Sequence, residues 1–285
     1  METRRPDFAG SWYPSRESDC RASIQEFTQG PTPYPSTHRR PVGGIVPHAG
    51  WFYSGKIACN VIRCLKEADP SPETMLLFGR HLPPGGKNYI MKEGRWATPL
   101  GELEIDRELA ERLAAEFPFV VETATRYGQD NTIELQLPFV KFFFPDIKIV
   151  PAGVPPAVSS LEIGKRAVEI AGEIGRRVVV LGSTDLTHYG LNYGYTPEGV
   201  GEKAVLWVKS ENDRKVIDRM LALDAPGVVQ ESLMNQNACC GGAAAAAIAG
   251  AKMLGAKDGL KLYYTTSYDI RQDDSFVGYA GIVFS

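Results

Sequence analysis

The segment RVVVLGSTDLTHYG (Arg177–Gly190) sets the terms for the whole chain. It opens on Val178, Val179, Val180 and Leu181 and closes its apolar run at Gly182, the pattern of a short strand buried on both faces. It then turns polar at once, so Asp185 and His188 ride on the loop that leaves the strand. Similar runs bounded by Gly or Pro recur as VGGIVP (Val42–Pro47), TMLLFG (Thr74–Gly79), IKIVPAGV (Ile147–Val154), LKLYYTTS (Leu260–Ser267) and FVGYAGIVF (Phe276–Phe284). Helical patterns lie between them. SGKIACNVIRCLKEA (Ser54–Ala68) places Ile57, Val61, Cys64 and Leu65 on one stripe. IDRELAERLAAEF (Ile105–Phe117) carries Asp106 in its first turn. A third helix starts at Ser159, where Ser159 and Glu162 have capping-box spacing. This alternation predicts an α/β fold, a single domain over residues 1–285 with a central mixed β-sheet flanked by helices. Chemistry in such folds collects on loops at strand ends. The Pro-rich stretch GPTPYPSTHRRP (Gly30–Pro41) reads as a connector, so residues 1–41 are expected to form an N-terminal segment and connector packed on the main fold.

The 285 residues are 44% hydrophobic and 23% charged, enough to build a core without disulfide or metal staples. Lys plus Arg is 31 and Asp plus Glu is 34, a net charge of −3. That balance argues against the basic face a nucleic-acid binder needs, leaving only small local anion sites. The opening METRRPDFAGSWYP has no apolar core of a secretory signal. No apolar run reaches the ~18 residues of a membrane span. The longest, AAAAAIAGAKML (Ala243–Leu254), reads as a buried helix. Five cysteines, two of them adjacent, suit a disulfide framework poorly. Reduced thiols and a cytoplasmic location are expected, with neither nucleic acid nor membrane as partner.

Only four histidines need weighing. His38 sits in the Pro-rich connector and reads as an exposed loop residue. His48, in IVPHAGWFYSG, His81, in MLLFGRHLPPGG, and His188 each follow a predicted strand. One such histidine is ordinarily a hydrogen-bonded structural residue; three on converging strand ends point to a shared site. Cys240, in NQNACCGGAAAAAIAG, stands at a helix start, where exposed N–H groups favour the thiolate. Its neighbour Cys239 reads as a small buried packing residue, as do Cys59 and Cys64 within their helix. Two imidazoles and one thiolate would make a three-ligand site with an open position, suited to zinc, iron or copper. Asp185 and His188 can form an acid/base pair, or Asp185 can be a ligand or a simple loop cap. Glu134, in an apolar helical pattern, is expected to have a buried partner. The Trp12–Tyr13–Pro14 cluster reads as loop packing, with a binding platform as its alternative.

Several strings together resemble the Memo family (mediator of cell motility), called AmmeMemoRadiSam system protein B in prokaryotes. They are AGSWYP (Ala9–Pro14), PHAGWFYSG (Pro47–Gly55), NTIELQLPF (Asn131–Phe139), STDLTHYG (Ser183–Gly190), CGG (Cys240–Gly242) and YTTSYD with VGYAG (Tyr264–Gly281). The resemblance implies a fold similar to class III, LigB-type extradiol dioxygenases. It also implies a metal site of His48, His81 and Cys240, with Fe(II) the leading metal and Cu or Zn the alternatives. His188 and Asp185 match the family's acid/base positions, and Asn131, Trp12 and Tyr53 would line the substrate space. Asn131 stands where the family usually carries a histidine, which removes a titratable group, and Trp51 stands where a tyrosine is common.

Three functions follow. The first is a metal-dependent, dioxygenase-like or redox enzyme acting on a small substrate. The second is a non-catalytic adaptor binding a metal or a phosphopeptide in the same pocket. The third is a hydrolase with Cys240 as nucleophile, His188 as base and Asp185 as orienter. By resemblance, functional association with AMMECR-type and radical SAM proteins is also implied.

Overall fold

The computed structural model describes residues 2–32, 34, 39–68 and 71–285; His38 lies outside them. The strands are β1 (Thr3–Arg4), β2 (Gly43–Val46), β3 (Thr74–Gly79), β4 (Asn88–Met91), β5 (Arg95–Thr98), β6 (Gly101–Glu104), β7 (Phe119–Glu122), β8 (Lys148–Gly153), β9 (Val178–Ser183), β10 (His188–Tyr189), β11 (Gly259–Thr266) and β12 (Phe276–Phe284). The helices are α1 (Glu17–Phe27), α2 (Trp51–Ala68), α3 (Arg107–Glu116), α4 (Asn131–Glu134), α5 (Leu137–Phe143), α6 (Val158–Glu173), α7 (Glu202–Trp207), α8 (Asp213–Leu221), α9 (Ala225–Asn235), α10 (Gly241–Met253) and α11 (Ser267–Ile270).

All six apolar runs form strands of one nine-stranded mixed sheet, ordered β10-β12-β2-β9-β3-β8-β4-β7 with β11 paired to β12. Its centre, β2-β9-β3-β8, is parallel. β12 runs antiparallel to β2, and β4 antiparallel to β8. The parallel register pairs Val46 with Ser183 and Phe78 with Gly182. The C-terminal ends of β2, β9 and β3 therefore finish side by side, and the loops after them open at one place. That is why histidines separated by more than a hundred residues in sequence converge.

Helix α10 covers one face of this centre. It packs on β9, β2, β3, α6 and α9. Its alanine run leaves little side chain between helices, and at Gly164 of α6 a Cβ would lie 2.1 Å from the Ala246 carbonyl oxygen. Helix α2 lies against β2 and β12, with α1 and α5 packed on it. Cys59 and Cys64 are buried there, as read from their helical spacing.

The N-terminal segment is tied down from two sides. Glu134 accepts hydrogen bonds from the Asp7 and Phe8 backbone N–H groups at 2.9 and 2.7 Å and from the Tyr13 hydroxyl at 3.0 Å. These three donors are the buried partners expected of Glu134. β1 joins β5 and β6 in a small second sheet, where the buried Arg4 guanidinium lies 3.6 Å from the Trp96 ring centroid and 4.0 Å from that of Tyr127.

Two local expectations need correction. The capping box at Ser159 is not formed. α6 begins one residue earlier, with Ala157 at its N-cap, so Ser159 already lies inside the first turn and cannot cap it. The next hydroxyl, Ser160, instead donates to the Pro155 carbonyl. Asp106 stands before α3 as its cap, accepting from the Leu109 N–H at 3.3 Å, and not within the first turn. Among the described residues no helix is long and apolar enough to cross a membrane, and the Ala243–Leu254 run lies almost wholly in buried α10.

Candidate metal centre

His48 follows β2, His81 follows β3, and Cys239 and Cys240 precede α10, with Cys240 at its N-cap. One ligand atom from each of these four residues lies within 4.8 Å of the other three. The Cys239 Sγ lies 3.3 Å from His48 Nε2, the Cys240 Sγ 3.6 Å from His81 Nδ1, and the two sulfurs are 3.8 Å apart. Metal bonds of ~2.3 Å to sulfur and ~2.0 Å to nitrogen give tetrahedral edges of roughly 3.3–3.8 Å. These three separations match the edges of a tetrahedral site, and all four donor atoms lie close enough to converge on one ion. The structure adds one residue to the sequence reading: Cys239, taken as packing, faces the same point as Cys240. Consecutive side chains of an extended chain point apart. Here the chain turns into α10 at Cys240, with φ −126° and ψ 52°, and both thiols end on one side.

The charge state follows from this crowding. Burial opposes ionisation of both thiols. For Cys239 that cost is overcome by a hydrogen bond from the Cys240 thiol, by the charge and ring N–H of His48, and by His81, so its pKa falls well below the usual thiol value. Cys240, buried beside that thiolate, is held above it. The lowered pKa expected for Cys240 from its helix position therefore belongs to Cys239, because two sulfurs in contact share one proton more readily than they lose two. The Asp185 backbone N–H also points at the Cys239 sulfur, at 3.3 Å.

His48 is 2% exposed and its ring meets that of His81 edge-on at 4.8 Å between centroids. Burial alone would lower its pKa, but Asp185 and Cys239 outweigh burial and raise it to about 9. Asp185 is the second surprise. Its Oδ1 accepts from the His48 backbone N–H at 2.7 Å, and its Oδ2 lies 3.9 Å from His48 Nε2. Asp185 is thus bonded to His48, and its influence on His188 is through space only. Burial raises the Asp185 pKa, and the His48 charge pulls it back.

Beside the cluster opens a pocket of about 450 Å³. Its polar lining includes His48, His81, Asn131, Asp185 and His188, and its aromatic lining includes Trp12, Phe52, Tyr53, Tyr193 and Tyr279. Asn131 and His188 thus share the pocket, as do Trp12 and Tyr53; Trp12 is not confined to loop packing. The Asn131 side-chain amide donates to the His48 carbonyl at 3.2 Å. The His188 ring meets Tyr193 at 5.0 Å. Trp51 is not in the pocket: it stacks on Phe139 at 4.1 Å in the core and donates to the Leu135 carbonyl. The hydrolase reading loses its first requirement here, because the Cys240 sulfur is bonded to His81 and Cys239, not to His188.

Comparison with known proteins places the whole chain in one family. The sequence profile of one family, described as Memo-like protein, matches residues 4–283. A MEMO1 family protein of Methanopyrus kandleri is 34% identical over 293 residues, covering 99% of this chain and 98% of that protein. MEMO1 family proteins of Thermococcus onnurineus and Methanosarcina acetivorans are each 35% identical, covering 99% of both chains. The crystal structure of an uncharacterized protein from Escherichia coli K12 aligns with 86% of this chain and 100% of that one, at 14% identity and a TM-score of 0.49, a likeness that carries no functional argument.

Proposed function

The chain belongs to the Memo-like family, and on that premise we propose that it is a metal-dependent protein whose centre handles a small substrate in the adjoining pocket. The observation that carries this reading is the four-residue donor set, His48, His81, Cys239 and Cys240, with ligand atoms within 4.8 Å of one another beside an aromatic-walled cavity. The fourth donor alters the choice of metal. Two sulfurs and two imidazoles form a softer set than the three-ligand site read from sequence, and such sets favour zinc or cuprous ion over the ferrous ion that the dioxygenase resemblance implies. When bound, an ion there would supply Lewis acidity, or electron transfer if it is iron or copper.

The chain's own residues supply the rest. His188 stands in the pocket, clear of the cluster, where it can exchange a proton with bound substrate. Asp185 holds the His48 backbone and places negative charge beside the ligand set. Asn131 offers an amide that can hydrogen-bond a substrate or a water but cannot shuttle a proton near neutral pH. The aromatic residues exclude water and favour a flat or apolar ligand. A redox or dioxygenase-like reaction is the activity proposed for this arrangement.

The test is anaerobic metal analysis of the purified protein, with absorption spectroscopy of the sulfur-to-metal bands of a Co²⁺-loaded form and measurement of oxygen uptake with candidate phenolic substrates. Stoichiometric metal that is lost in His48→Ala, His81→Ala and Cys240→Ser is expected. Equal metal in those variants and in the wild type would reject the centre. His188→Ala should keep the metal and lose turnover by about 10²–10⁴-fold; loss of metal in His188→Ala would make it a ligand instead.

A further inference from the structure

Two loops carry the histidines of the cluster, and one buried residue outside it is bonded to one of them directly and to the histidine of the other through Ser183. Thr132, fully buried in α4, lies between them. Its hydroxyl accepts from the Arg80 backbone N–H at 2.7 Å, directly before His81. Its carbonyl accepts from the Ser183 hydroxyl at 2.7 Å, and the same hydroxyl oxygen lies 3.0 Å from His48 Nδ1.

Each bond has a directional consequence. The Ser183 proton is committed to the Thr132 carbonyl, so the Ser183 oxygen has only lone pairs left for the ring. His48 Nδ1 must then be the protonated nitrogen and the donor, which leaves Nε2, the atom beside Cys239, as the coordinating one. At His81 the constraint is on the backbone. Arg80 has φ +78°, a left-handed conformation that a residue with a Cβ adopts only under restraint. Three contacts hold it: the Thr132 hydroxyl on its N–H, Glu122 on its guanidinium at 2.8 Å, and the Tyr89 ring 3.9 Å from its Cζ. Thr132 can come this close only because β3 ends in glycine, since a Cβ at Gly79 would lie 2.3 Å from the Thr132 hydroxyl oxygen. Asp130 in turn fixes Thr132, accepting from its N–H at 3.0 Å and its hydroxyl at 2.6 Å.

We infer that Thr132 is a positioning residue that sets both histidines for metal: through its hydroxyl it holds the Arg80 turn that aims His81, and through its carbonyl and Ser183 it fixes the nitrogen His48 presents. This inference rests on the proposed metal centre. It gives the segment Asp130–Thr132 a purpose that a comparison at Asn131 alone would miss.

The experiment measures zinc affinity by competition with a chromophoric chelator, together with ¹⁵N-histidine spectra of the zinc-loaded protein. Thr132→Val removes only the hydroxyl and should weaken zinc by about 10- to 100-fold, with Thr132→Ser restoring it to within about threefold. Thr132→Val should keep the slowly exchanging His48 Nδ1–H, because the carbonyl remains. Ser183→Ala should weaken zinc in the same range and lose that protected proton. Unchanged affinity in folded Thr132→Val and Ser183→Ala overturns the inference. Should those variants fail to fold, the wild type decides alone: zinc bound through His48 Nδ1 overturns it, and zinc bound through Nε2 with a protected Nδ1–H supports it. A wild type that takes up no zinc, cobalt or iron rejects the metal centre itself. The Thr132–Ser183 link to His48 is then judged on the His48 Nδ1–H in the metal-free protein, whose rapid exchange would overturn it.

Discussion

Cys239 changes the chemistry of the site more than any other single residue. A three-ligand centre keeps an open position, whereas a fourth ligand, here a second thiolate, closes the tetrahedron and leaves substrate to bind beside the ion or to displace a ligand. The direct prediction is that Cys239→Ser loses metal as severely as Cys240→Ser, checked by metal analysis of both variants. Retention of full metal by Cys239→Ser would return the centre to three ligands. A second prediction concerns protons. His48 is held at about 9 and must give up its Nε2 proton to bind metal, and Cys240, held above the usual thiol value, must give up its own, so apparent affinity should climb with pH through about 9. Isothermal titrations between pH 6 and 10 would show it; a flat profile would mean His48 does not coordinate. The sequence made His48, His81 and Cys240 legible because each ends a strand or begins a helix. It hid Cys239 because adjacency ordinarily means opposite faces, and only the turn at the α10 N-cap brings the two sulfurs together. The pairing of Asp185 with His48 was hidden for a related reason: nearness in sequence favoured His188, whereas the β2–β9 register places Asp185 beside His48.

The six apolar runs became strands with bounds shifted by a residue or so. Five of them are buried and leave a nearly uninterrupted apolar signature, whereas β11, a half-exposed edge strand interrupted by Lys261, was marked by its aromatic and β-branched residues. The short strands β4–β7 lie at the sheet margin or in the small second sheet. They carry residues such as Lys92, Glu93, Arg95 and Glu102 in or beside them, so neither alternation nor an apolar run marks them. The contact between α10 and α6 was likewise out of reach, because small residues announce close approach but not the partner. That contact has a functional reading, since α10 presents Cys240 from its N-cap. Gly164→Ala would drive a methyl into the Ala246 backbone, where no side chain can swing aside. The helices must separate, at a cost of about 1–3 kcal/mol that exceeds the up to ~1 kcal/mol gained in helix propensity. The expected outcome is a lower denaturation midpoint together with weaker metal binding in the folded fraction. A midpoint loss with unchanged metal affinity would show that the α10 N-terminus is fixed by its own loop contacts, among them the Cys240 N–H to the Thr184 hydroxyl at 3.0 Å.

Stability of the whole molecule should carry an unusual dependence on pH, because the buried carboxyls of Asp185, Asp213 and Glu134 are held above their ordinary values. Asp213 is fully buried at the start of α8, where it accepts from the Thr187 N–H and hydroxyl at 3.0 and 2.5 Å and from the Tyr264 hydroxyl at 2.8 Å. Burial raises its pKa to about 6, although the hydrogen bonds from Thr187 and Tyr264 pull the other way. A carboxyl raised on folding binds its proton more tightly in the folded state. Its contribution is therefore present in acid and lost as pH rises through about 6, a change of about 3 kcal/mol between roughly pH 4 and 6. His48 and Cys239 offset one another in the metal-free protein. The His48 contribution is lost as pH rises from about 6.5 through about 9, while the Cys239 thiolate, held well below the usual thiol value, adds stability as pH rises towards that value. An ion replaces the protons that the ligands still hold, so metal binds more tightly as pH rises. In urea denaturation of the metal-free protein Asp213 should thus contribute a fall between pH 4 and 6, and loading with zinc should raise stability most at the alkaline end. Asp213→Asn tests the assignment. An amide can still accept from Thr187 and can donate to the Tyr264 oxygen, so the fold should stand and the step between pH 4 and 6 should vanish. A variant that keeps that step would assign it to other raised carboxyls, of which buried Asp185 and Glu134 are the nearest candidates.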